Sequence, residues 1–248
     1  MKDLDRRLRA AVRFFWQTRR RQGESQGAET GFKDQGARRA VTGGAHLNGF
    51  TKLLAELLGE VGVPSTAIFR KPENALMALP GYYRPCKDWD LVVVMDKQLV
   101  ATIELKSHVG SFGNNYNNRT EEALGNATDF AGAYKHGVIP TVQPRPWLGY
   151  FMLLEDSPKS RTPVGRLPEP HFKALPEFRG ASYAKRYEIL CTKMLQERLY
   201  DGACLLMSAQ EKGAGRGEYN EPSDTLSFAR FTGSLLGHVN GFIAARSS

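Results

Sequence analysis

The 248-residue chain is poor in cysteine, in long apolar runs and in clustered histidine. Its three cysteines, Cys86, Cys191 and Cys204, are odd in number and form no CxxC pattern. That argues against a disulfide framework or a structural zinc site, and fits reduced thiols in a cytoplasmic protein. No stretch approaches the roughly 18 continuous apolar residues of a membrane helix, so no membrane partner is expected. The opening MKDLDRRLRA lacks an apolar core followed by a cleavage site and does not read as a secretory signal. His46, His108 and His136 are scattered without metal-ligand spacing and read as structural.

What the chain does have is positive charge. The net charge is +8, and residues 1–40 hold eleven Lys/Arg against five Asp/Glu, a surplus of six. A basic block of this kind points to a polyanion such as nucleic acid, with a solvated helix face as the bland alternative. Residues 3–21 read as an amphipathic helix, with Leu4, Leu8, Ala11, Val12, Phe15 and Trp16 at helical spacing. The following QGESQGAETGFKDQGARRAVTGG has no period and reads as a mobile loop carrying Arg38 and Arg39. Further helices are expected over about 45–61, 119–136, 183–200 and 225–245. Strands are expected within 89–106 and over 147–155 and 202–208, and 157–181 reads as irregular. Strands alternating with helices predict an α/β fold, a mixed central sheet flanked by helices, with no clear domain boundary in 1–248 and residues 1–44 as an extension.

The segment WDLVVVMDKQLVATIELK reads as two strands and a short turn. Glu104 and Lys106, two apart on a strand, share a face. For Asp90 to join that face it must oppose Glu104, which makes paired residue numbers sum to 194. That requires either a three-residue turn, Asp96-Lys97-Gln98, or one bulge, because a one-residue slip would send Glu104 to the other face. In that register the carboxylates lie about 5 Å apart at Cβ. Two anions so close call for a cation, and an all-oxygen pair suits Mg2+. Lys106 beside them could polarise a water or a phosphate, a layout fitted to metal-assisted hydrolysis. Taken by itself, Asp-x13-Glu-x-Lys is a weak pattern, since charged residues ending strands usually just reach solvent.

The same segment resembles the PD-(D/E)xK nuclease motif, with Asp90 as the first acid, Glu104-Leu105-Lys106 as the ExK, and Trp89 where proline is usual. PGYYRPCKDWDLVVV, IELKSHVGSFGNNYNNRTEEALGNATDF and RPWLGYFMLLEDS resemble the XhoI family of type II restriction endonucleases. The resemblance implies a restriction-endonuclease-like core with the active site on a β-hairpin, and Mg2+-dependent cleavage of duplex DNA at CTCGAG with 5′ overhangs. It also implies a homodimer and a companion methyltransferase acting on the same site. By that likeness Asp90, Glu104 and the Leu105 carbonyl would hold metal, Lys106 would position or activate the water, and Glu56 or Glu60 is a candidate extra acid. Within the same superfold the alternative is a structure-directed repair or junction nuclease, and outside enzymes a DNA-binding protein without catalysis.

Base edges are read by Arg, Lys, Asn and Gln. Three loops are expected to offer them: Arg38 and Arg39; Asn114, Asn115, Asn117, Asn118 and Arg119; and Lys212 and Arg216. The middle set follows the candidate catalytic strand directly, although Asn118 or Thr120 could equally be a helix cap. The N-terminal arginines would contact phosphates, and the Leu4/Leu8/Phe15/Trp16 face could equally serve as a dimer surface.

Overall fold

In a computed structural model, residues 3–30, 44–72, 76–140 and 144–246 are described, with side chains throughout except over 24–30. The helices are α1 (Leu4–Thr30), α2 (Asn48–Glu60), α3 (Phe112–Lys135), α4 (Pro158–Arg161), α5 (Tyr183–Gln196), α6 (Gln210–Arg216) and α7 (Phe228–Ala244). The strands are β1 (Ile68–Arg70), β2 (Ala78–Pro80), β3 (Cys86–Asp88), β4 (Leu91–Met95), β5 (Gln98–His108), β6 (Trp147–Glu155) and β7 (Gly202–Ser208).

The central sheet has the order β1-β4-β5-β6-β7. β5, β6 and β7 run parallel, and β4 and β1 complete it antiparallel. The expected mixed sheet flanked by helices is therefore present. Its inner strands are apolar on both faces, as strands covered twice must be. On β6, Trp147, Phe151 and Leu153 face one core with α1, α2 and α7. Leu148, Tyr150, Met152 and Leu154 face the other, with α3 and α5. β2 and β3 form a separate two-stranded sheet that the apolar periodicity did not predict.

The β4–β5 hairpin contains the bulge and not the three-residue turn. Leu91 pairs with Ile103 and Val93 with Ala101, a constant sum of 194, whereas Val94 pairs with Leu99. Val100 is the extra residue. Asp96 (φ 48°) and Lys97 (φ 63°) form a two-residue turn, the left-handed pair that suits strand twist even without glycine.

Three other expectations need correction. Helix α1 continues to Thr30, into the segment read as a loop. Residues 114–119, read as a loop, lie in the first turns of α3, which starts after Ser111, so neither Asn118 nor Thr120 is its cap. Phe112, Tyr116, Ala123, Ala127 and Phe130 keep a helical stripe toward the core, and packing outweighs the poor helix propensity of Gly and Asn. Residues 210–216, also read as loop, form α6, in which Gly213 permits close approach. A Cβ there would fall 2.2 Å from Trp16 Cδ1. The apolar face of α1 is consumed by this packing, with Leu8, Val12, Phe15 and Trp16 all buried, so it is not a free dimer surface.

Trp16 Nε1 donates to Ser208 Oγ (2.9 Å), and Ser208 Oγ donates to the Glu218 carbonyl (2.6 Å). Ser208→Ala leaves a buried donor and acceptor without their partner. We expect a loss of about 1–3 kcal/mol in urea unfolding with the slope unchanged.

Candidate active site

Because side chains alternate along a strand, Asp90, Thr102, Glu104 and Lys106 fall on the face covered by α3 and α5. Asp90 immediately precedes β4, and its backbone N–H donates to the Ile103 carbonyl at 3.2 Å. Its Oδ2 accepts the Leu105 N–H at 2.6 Å, which aims the carboxylate at the ExK strand. Glu104 is only 1% exposed. Its Oε1 lies 2.5 Å from Lys106 Nζ and 3.4 Å from Asn126 Nδ2, and its Oε2 lies 2.7 Å from Lys87 Nζ. Asp90, at the entry to the strand before, is thus brought to Glu104 and Lys106.

The electrostatics follow from this crowding. Burial, then the Glu104 charge, push the Asp90 carboxyl up to about 6 against the Leu105 N–H and the two lysines. Burial by itself would lower the Lys106 pKa, but Glu104, Asp90 and Glu122 together outweigh it and raise it. Lys106 is therefore an ammonium at neutral pH.

Other expected residues fall elsewhere. Glu56 and Glu60 are taken by Arg7, at 3.0 and 2.5 Å. They lie on α2, which covers the opposite sheet face, so neither belongs with Asp90 and Glu104. Arg38 and Arg39 lie outside the described residues. Asn114, Asn117 and Asn118 are exposed on α3, while Asn115 donates to the Ser111 carbonyl at 3.3 Å. Arg119 pairs with Glu122 at 2.5 Å, and Glu122 lies 3.8 Å from Lys106. Lys212 and Arg216 are exposed on α6. His46 and His108 are buried, and burial takes both down to about 4, which keeps them neutral. His136 stacks on Tyr82, ring centroids 4.3 Å apart.

Three members of the site escaped sequence reasoning: Lys87, Glu122 and Asn126. Lys87 reaches Glu104 from β3, in a sheet with no apolar alternation to reveal it. Glu122 and Asn126 are one helical turn apart, and that spacing is the signal that would have placed both on the face of α3 turned to the hairpin.

The all-oxygen character of Asp90 and Glu104, with burial and then the nearby Glu104 charge raising Asp90, suits a hard divalent cation. Among the described residues no group of three or more His, Cys, Asp or Glu side chains is set for a metal. Further oxygen would have to come from backbone or water. The Leu105 N–H faces Asp90, and in an extended strand a residue's carbonyl shares the edge of its N–H, so the Leu105 carbonyl is a suitable donor. No helix among the described residues is long and apolar enough to cross a membrane.

A family model described as restriction endonuclease XhoI matches residues 26–221. The type II restriction enzyme BstVI of Geobacillus stearothermophilus is 49% identical over 215 residues, 84% of this chain and 92% of the relative. The type II restriction enzyme XhoI of Xanthomonas vasicola is 43% identical over 194 residues, 78% of this chain and 76% of the relative. The type II restriction enzyme AbrI of Azospirillum brasilense is 43% identical over 172 residues, 69% of this chain and 75% of the relative. No solved structure matches the chain.

Proposed function

Because the chain belongs to the XhoI family of restriction endonucleases, we propose that it hydrolyses phosphodiester bonds of duplex DNA at a palindromic site, with Asp90, Glu104 and Lys106 as its catalytic set. The observation that carries the assignment is the convergence of the two acids and the lysine on one face of the β4–β5 hairpin. On this reading 1–248 is one restriction-endonuclease-like domain, the hairpin carries a PD-(D/E)xK active site, and two copies of the chain act on the two strands. CTCGAG is the expected sequence, cut to leave 5′ overhangs, with a companion methyltransferase protecting the same site.

Asp90, Glu104 and the Leu105 carbonyl would hold Mg2+. When bound, the ion supplies positive charge for the developing phosphorane and lowers the pKa of a water. The chain's own part is positioning. The Leu105 N–H fixes the Asp90 carboxylate (2.6 Å), and Asn126 and the two lysines fix Glu104. Lys106, held as an ammonium, donates a hydrogen bond to the attacking oxygen or to a phosphate oxygen. As an ammonium its part is to orient the attacking oxygen and to neutralise charge.

Asn114, Asn117 and Asn118 on exposed turns of α3 are proposed to read base edges, and Arg119 to contact the backbone beside the site. The corresponding roles for Lys212 and Arg216 rest on their exposure on α6. Arg38 and Arg39 remain proposals from sequence.

A plasmid carrying one CTCGAG should be cut once with Mg2+ and left intact in EDTA, with end sequencing giving the overhang. Smearing or cutting only at junctions would favour a structure-directed nuclease. Sequence-specific binding without cutting would favour a protein that has lost catalysis.

A further inference from the structure

Glu104 is already fully engaged by cations supplied by the protein. Lys106 Nζ is 2.5 Å from Oε1, and Lys87 Nζ is 2.7 Å from Oε2. The two carboxylates and two ammonium groups cancel, so an arriving divalent cation meets a neutral site whose positive charges stand against its own ligand. Lys106 is tied to Glu104 by the strand they share, but Lys87 comes from a different element and is held there by specific contacts.

Its Nζ also donates to the Asp88 carbonyl at 2.9 Å and lies 4.5 Å above the Trp89 ring. Trp89 is itself buried against Phe130. The loop leading into β3 is pinned to α3. Tyr82 and Tyr83 donate their backbone N–H groups to Asp129 at 2.8 and 2.7 Å, and Arg84 bonds Asp129 (2.8 Å) and Asn126 (2.7 Å). Burial pushes the Asp129 carboxyl up, but these donors overcome it and hold it below the usual carboxylate range. The Lys87 side chain is only 13% exposed, so it is a placed charge and not a surface lysine that happens to lie near.

We propose that Lys87 is a resident counter-ion that competes with the divalent metal for Glu104 and keeps metal affinity low in the DNA-free protein. The proposal rests on the reading of Asp90 and Glu104 as the metal pair. Two like charges within a few ångströms, in a site of intermediate dielectric, oppose each other strongly. Removing one ammonium therefore tightens metal binding, by about tenfold after relaxation and screening.

The test is Mn2+ titration of the DNA-free protein, with free Mn2+ read by electron paramagnetic resonance. Lys87→Gln and Lys87→Met, the second keeping the apolar stem over Trp89, should each bind Mn2+ about tenfold more tightly than the parent. Lys87→Arg keeps the charge and should stay within about twofold. Far-UV circular dichroism identifies which variants are folded. Unchanged or weaker binding by a folded neutral variant overturns the role, and so does equal tightening by Lys87→Arg. Glu104→Gln separates the two readings. If Mn2+ binding survives that substitution, the metal-site assignment is at fault. If binding is lost there yet the neutral Lys87 variants bind like the parent, only the competition is wrong.

Discussion

Glu104→Gln is expected to cut DNA at least about a thousandfold more slowly than the parent, while still binding it. A thousandfold is about 4 kcal/mol of barrier, within the range that loss of one charged metal ligand removes. The change is nearly isosteric, so what is lost is charge. The same substitution should weaken the fold. Glu104 is 1% exposed and satisfies both Lys106 and Lys87, and a neutral amide leaves Lys87 without its anion and Lys106 with the more distant Glu122 at 3.8 Å. Removing one partner of a buried pair costs about 3–5 kcal/mol. Here the lysine side chains are 24% and 13% exposed and can turn toward water, so about 3 kcal/mol or less is expected in urea unfolding. Cleavage within tenfold of the parent by a clean preparation would sink the assignment of Glu104.

The hairpin shows how far sequence alone carried. The requirement that Asp90, Glu104 and Lys106 share a face fixed the pairing sum at 194, and that sum holds from Leu91 to Val93. What remained open was how the odd residue is absorbed. Asp96 and Lys97 tolerate the left-handed backbone of a tight turn, and Val100 bulges instead. Alternating strands and helices were legible because the inner strands are apolar runs. The start of α3 was not, because Gly113, Asn114, Asn115, Asn117 and Asn118 have weak helix propensity, and only the core contacts of Phe112 and Tyr116 make that turn helical. Lys87 was illegible for a different reason. Its partner is 17 residues away in another sheet, and no local period encodes a long-range ion pair.

Asp90→Asn should abolish cleavage to a similar extent, yet act on stability in the opposite direction from Glu104→Gln. The Asp90 carboxyl is raised to about 6 by burial and by Glu104, so above that pH the metal-free fold carries an ionised acid it disfavours. The sign follows from linkage. Between the unfolded value near 3.8 and the folded value near 6, the folded state binds the extra proton, so this group's contribution to stability falls as pH rises through that window. At pH 7.5 the cost is fully present, on the order of 2–3 kcal/mol. Asparagine removes it and can still accept the Leu105 N–H, because its amide oxygen replaces Oδ2. Metal-free Asp90→Asn should therefore melt several degrees above the parent at pH 7.5 and show a flatter dependence of stability on pH between 4 and 7. Adding Mg2+ should reverse the order at high enough concentration, because only the parent gains stability from the ion. A lower melting temperature for the metal-free variant would mean that the charge-assisted bond from Leu105 outweighs the repulsion. Equal stabilisation of both proteins by Mg2+ would mean that Asp90 is not a ligand.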